Sequence, residues 1–158
     1  MLPFYRYIRP VLFKYKRSEL VTQPRGGLCL RFEEIENGTT LWFSFSRCHT
    51  DDLYNKAVAK QIADARAEVI RNNPSLLEVF AVIPPSKNTN ELIESVISFS
   101  RSLSMVSFIS PVHQYLLHDA LFFSDSLKKI STENKRQVAL LENWTAALDG
   151  ISASVYKE

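Results

Sequence analysis

Asn37-Gly38 divides residues 28–48 into two runs of alternating residues, and no other dipeptide constrains the chain so tightly. A two-residue type I′ hairpin turn needs positive φ at both central positions, which asparagine followed by glycine supplies best. Centring the turn there pairs Glu34 with Leu41, Phe32 with Phe43 and Leu30 with Phe45. Leu28, Leu30, Phe32, Leu41, Phe43 and Phe45 then share one face, while Cys29, Arg31, Glu33, Thr40, Trp42, Ser44 and Ser46 share the other. A slip of one residue would move every side chain to the opposite face, so turn chemistry and alternation support one register. The apolar face is expected to pack on the helix that follows, and the second face to carry Arg31 and Trp42 away from the core.

A two-stranded hairpin is marginal alone. Residues 11–17 alternate Val11, Phe13 and Tyr15 with Leu12, Lys14 and Lys16, which predicts a third strand beside it. Pro10 would stand at its start, where a missing N–H is tolerated, and residues 24–27 (Pro-Arg-Gly-Gly) mark the turn into the hairpin. Beyond Cys48 the period lengthens. Thr50 reads as an N-cap with Asp51 and Asp52 in the first turn. Tyr54, Val58, Ile62, Ala65 and Val69 would form the buried stripe of a helix ending at Asn72-Asn73-Pro74. Residues 75–83 fit a short helix opened by Pro74 or a short buried strand stopped by Pro84-Pro85.

Asn88 with Glu91 resembles a capping box for a helix burying Leu92, Val96, Phe99 and Leu103. Ser110-Pro111 opens the next, whose stripe is Val112, Leu116, Ala120, Phe123, Leu127 and Ile130, widened by Leu117, Leu121 and Phe122. A last helix from Thr132 to Leu148 would bury Val138, Leu141, Trp144 and Leu148, end at Gly150, and leave 151–158 as a frayed tail. Strands first and helices after point to α+β: a short antiparallel sheet packed against four or five helices. At 158 residues, 46% of them hydrophobic, the chain suits a single domain over 1–158 with one core.

The net charge of +2 conceals an asymmetry. Within residues 1–25, six cations (Arg6, Arg9, Lys14, Lys16, Arg17 and Arg25) stand against Glu19 alone, a local +5 that leaves −3 for the remainder. Basic residues interleaved with tyrosine and phenylalanine suit phosphate and base stacking in single strands, and equally the anchors of protein interfaces. The candidate contact surface is Arg6, Arg9, Lys14, Lys16, Arg17, Arg31 and Trp42. No secretory core or run of 18 apolar residues is present, which predicts a cytoplasmic protein without a membrane partner. Oligomeric state is not legible.

Catalytic patterns are sparse. The sequence holds no Gly-rich phosphate loop, no G-x-S-x-G and no H-E-x-x-H, so no cofactor or metal is assigned. His113 and His118 stand five apart, on different faces of a helix, which makes a poor zinc pair. Cys48-His49 is the most reactive-looking dipeptide, since a thiol near a helix N-terminus beside an imidazole could act as a nucleophile. The register places Cys29 and Cys48 diagonally, about 7–8 Å apart, beyond the disulfide reach of about 4.4–6.8 Å. Two free thiols are therefore expected.

Cys48, Asp52, Tyr54 and Lys56 fit C-x-x-x-D-x-[FY]-x-[KR], and Ile62-Ala63 with Arg66 fits a following Ile-Ala-x-x-Arg. Over about residues 24–70 this resembles a pattern in small phage-encoded proteins without assigned activity. Ala59-Lys60 departs from the Gly-Arg pair of that pattern. The resemblance implies a phage or mobile-element origin and no reaction. The expectation is a non-enzymatic binding protein that occupies a surface of a host or defence protein as inhibitor or modulator. Single-stranded nucleic-acid binding by the basic arm is the alternative, and catalysis by Cys48 and His49 the third reading.

Overall fold

The computed structural model describes residues 2–36, 38–99 and 113–155, the last five by their backbone alone. The chain runs β1 (Phe4–Ile8), β2 (Val11–Lys14), β3 (Glu19–Thr22), β4 (Arg25–Glu34), β5 (Leu41–Leu53), α1 (Lys56–Arg71), α2 (Pro74–Val79), β6 (Ala81–Val82), α3 (Thr89–Phe99) and α4 (Gln114–Val155). β1, β4, β5 and β6 form an antiparallel sheet in that order, and β2 and β3 form a second, two-stranded sheet. The fold is α+β.

The hairpin keeps the register that its sequence dictates. Glu34 pairs with Leu41, Phe32 with Phe43, Leu30 with Phe45 and Cys29 with Ser46. Gly38 takes φ +71°, the positive value required of it, while Asn37 lies outside the described residues. With strands of 10 and 13 residues the sheet is longer than expected. Residues 11–17 do not supply its third strand. That place belongs to β1, whose Phe4 and Ile8 face Phe32 and Leu28, and β2 pairs with β3 instead. Residues 74–82 contain both structures that the sequence left open, a one-and-a-half-turn helix and then a two-residue edge strand.

Both faces of the sheet are covered. On the apolar face, Phe43 meets the rings of Phe32, Phe45, Phe80 and Phe99, and Phe45 meets Phe123. Thus α2, α3 and α4 cover the side expected for α1. α1 lies on the opposite face, because that face is small as well as polar. Ala59 and Ala63 pack against Cys29, and the Ser46 and Ser44 hydroxyls donate to the Ala59 and Ala63 carbonyls at 2.7 and 2.8 Å. Each hydroxyl is thereby satisfied without water, so the serines can be buried.

Its buried stripe is Ala59, Ala63, Ala67 and Ile70, whereas Val58, Ile62 and Ala65 of the expected stripe are exposed. The helix also begins later than Thr50. β5 continues through Asp51 and Asp52 to Leu53, and Asn55 caps α1 by accepting from the Val58 amide at 3.1 Å.

The two final helices of the sequence reading are one. α4 has 42 residues, about 63 Å at 1.5 Å per residue. No proline interrupts it at Thr132, and it continues through Gly150 into the segment expected to fray. Leu116, Ala120, Phe123 and Leu127 are buried, while Phe122, expected to widen that face, is exposed. Val112 and Leu103 fall outside the described residues.

Candidate binding surface

The second half of α4 carries the β2–β3 sheet as an arm. β2 is an edge strand, and its outward N–H groups need acceptors. Asn134 and Gln137, one helical turn apart, provide them. The Val11 amide donates to Asn134 Oδ1 at 3.0 Å and the Phe13 amide to Gln137 Oε1 at 2.7 Å. Asn134 Nδ2 donates back to the Arg9 carbonyl at 2.9 Å, and Gln137 Nε2 to Glu133 at 2.9 Å. Hydrogen bonds from Arg136 and Gln137 hold the Glu133 carboxyl down to about 2, so it remains an ionised acceptor. Two side-chain amides of a helix thus occupy the place of a neighbouring strand.

At the tip, residues 15–18 turn the chain with Ser18 at φ 52°. Trp144 Nε1 donates to Ser18 Oγ at 3.0 Å and its ring stands edge-on to Tyr15, 6.0 Å between centroids. Tyr15 remains 59% exposed and Trp144 37%. Lys14, Lys16 and Arg17 are exposed around them, opposed by Glu19, which lies 3.8 Å from Arg17. The tip therefore presents two aromatic rings amid three cations and one carboxylate.

The remaining residues of the basic set are drawn into the body. Arg9 lies with its guanidinium 4.0 Å from the Tyr54 ring and donates to the Gln23 and Gly26 carbonyls. Arg6 donates to the Tyr5 carbonyl at 3.0 Å and leans over Phe4. Arg31 and Trp42 are only 5% and 3% exposed, stacked together beneath α1, with Arg31 paired to Glu33 and Asp64. They are part of the interior and not of a contact surface. Lys14, Lys16 and Arg17 alone of the seven are gathered at one exposed place. Trp144, expected to be buried, completes it at 37% exposure, and Asn134 and Gln137, which hold the arm on α4, were missed. The signal for Asn134 and Gln137 was that this polar pair interrupts an otherwise apolar helical seam, Leu127, Ile130, Leu141, Trp144 and Leu148.

Cys48 and His49 do not stand at a helix N-terminus. The Cys48 thiol faces the carbonyls of His49, Asp52 and Leu53 at 3.5–3.7 Å. His49 Nδ1 accepts from the Asp51 amide at 3.1 Å. These thiol neighbours are acceptors, unlike the cationic surroundings that activate a cysteine. Cys29 is fully buried and, like Cys48, free. Burial pushes its thiol up to about 11.

At neutral pH a maleimide is expected to label Cys48 and to reach Cys29 only on unfolding. Because the folded value lies above the unfolded one, the stabilisation is complete below about pH 8.5 and fades as pH climbs toward about 11. A Cys29→Ala variant should show a shallower alkaline loss of stability in urea titrations between those limits.

Among the described residues, no group of three or more His, Cys, Asp or Glu could hold a metal ion, and no helix is long and apolar enough to cross a membrane. Comparison with protein-family models, with curated proteins and with solved structures gives no match for this chain.

Proposed function

We propose that the protein acts by binding, with the arm tip as its contact surface, and occupies another protein as a modulator or inhibitor. The observation that carries this reading is the exposed group Lys14, Tyr15, Lys16, Arg17 and Trp144, held out on α4 by the Asn134 and Gln137 amides. Tryptophan, tyrosine and arginine are the usual anchors of protein interfaces, and uncompensated cations favour an acidic counterpart. The resemblance of residues 24–70 to small phage proteins favours a cytoplasmic host or defence component as the protein so occupied.

The test is affinity capture from host lysate with the wild type and a Lys14→Glu, Lys16→Glu, Arg17→Glu triple variant in parallel. All three side chains are exposed, so the variant should fold, which circular dichroism will check. A stoichiometric partner retained by the wild type and reduced by about tenfold or more with the variant supports the reading. Equal capture by both, or no stoichiometric partner, overturns it.

The same exposed Tyr15 between two lysines also favours a second reading, single-stranded nucleic acid. A fluorescent oligonucleotide bound at low salt, released steeply as salt rises and lost with the triple variant would support it; no binding at low salt removes it.

A further inference from the structure

We propose that the free edge of β1 accepts an extended segment of a partner protein, one that alternates acidic and apolar residues, as an added strand. The direction of the main-chain groups fixes which residues would bond it. On β5, the Phe43 amide donates outward to the Phe80 carbonyl and the Phe45 carbonyl accepts from Arg66. Their partners Phe32 and Leu30 must then turn their own groups toward β1, to meet Phe4 and Arg6. Tyr5 and Tyr7, opposite Arg31 and Cys29, therefore point theirs away from the sheet. The Tyr5 carbonyl accepts from Arg6 Nη1, whereas the Tyr5 and Tyr7 amides and the Tyr7 carbonyl have no partner among the described residues. Donors and acceptors alternating along an extended chain are complemented best by another extended chain.

Side-chain chemistry on the two sides of this edge differs. Toward α1, the Tyr5 and Tyr7 rings stack at 6.3 Å, with Lys60 and Lys56 over them at 5.2 and 4.6 Å. Neither lysine has a carboxylate partner among the described residues. Asp64, four residues after Lys60, is engaged by the Tyr5 hydroxyl and Arg31. On the opposite side a groove of about 610 Å³ opens beside Ile8, Val11 and Ile93. An added strand would send alternate side chains to these two environments, acidic residues to the lysines and apolar ones toward the groove. A second copy of β1 would bring a second pair of lysines to the same place, and like charges oppose that pairing.

A synthetic peptide alternating glutamate and valine is the probe, with fluorescence anisotropy for affinity and amide hydrogen exchange for location. Binding should slow exchange at the Tyr5 and Tyr7 amides. Replacing glutamate by lysine in the peptide, or Lys56→Glu with Lys60→Glu in the protein, should weaken it by about tenfold or more. N-methylation of the peptide's bonding edge, which leaves its charge intact, should do the same. Equal affinity for the N-methylated peptide, unchanged exchange at Tyr7, or no binding at millimolar peptide would each overturn strand addition. Protection of Tyr5 and Tyr7 that rises with protein concentration alone would overturn it in favour of a second copy.

Discussion

A Gly27→Ala variant is expected to lose about 3 kcal/mol or more of stability, from backbone strain and overpacking together. Gly27 opens the regular part of β4 with φ +147°, a conformation that side-chain-bearing residues rarely adopt. An added Cβ would stand 2.7 Å from Tyr54 Cδ2 and 2.9 Å from Arg9 Cδ. Neither neighbour can retreat cheaply. The Tyr54 ring lies under the Arg9 guanidinium, its amide is bonded to the Pro24 carbonyl, and Arg9 is tied to Gln23 and Gly26. The end of β1, the start of β4 and the end of β5 thus meet at a point with no room for a methyl group. Urea unfolding would measure the loss. Adding Tyr54→Leu should recover part of it, since that removes the clash but not the strain; a single variant as stable as the wild type would show that the chain relaxes there freely.

The other large effect lies in the centre of the sheet. Phe43→Ala should cost about 3–5 kcal/mol, the usual range for a fully buried aromatic. Phe43 is 1% exposed and its ring contacts four others, contributed by both central strands, by the residue after α2 and by the end of α3. No neighbour can fill the space without leaving another ring. Phe122 offers the contrast within one protein. It is 62% exposed on α4, and Phe122→Ala should change stability by no more than about 0.5 kcal/mol. Denaturation midpoints of the two variants check both figures.

The hairpin register was legible because two independent signals, turn chemistry and alternation, had to agree. The cover over its second face was not legible. Ser44, Ser46 and Arg31 read as solvent-facing on any hydropathy scale, yet the serines bond to helix carbonyls and Arg31 finds two carboxylates. The matching stripe on α1 is alanine, which carries little hydrophobic signal, so the larger Val58 and Ile62 were mistaken for it. In α4, Asn134 and Gln137 interrupt the apolar stripe. Their reason lies in the edge of a strand more than 120 residues away, where no local pattern could reveal it. The basic residues were visible as composition only. Folding divides them, sending Arg9 and Arg31 inward and Lys14, Lys16 and Arg17 to the tip.

α4 spans body and arm without a break, so the direction in which the tip faces is set by counting residues. Each residue turns the helix by about 100°. Adding one between Leu127, buried in the core, and Asn134, anchored on β2, would put the arm's docking face a quarter-turn or more out of phase with the body. Length there cannot drift as it does in a loop, and related chains that keep this arm must preserve that interval.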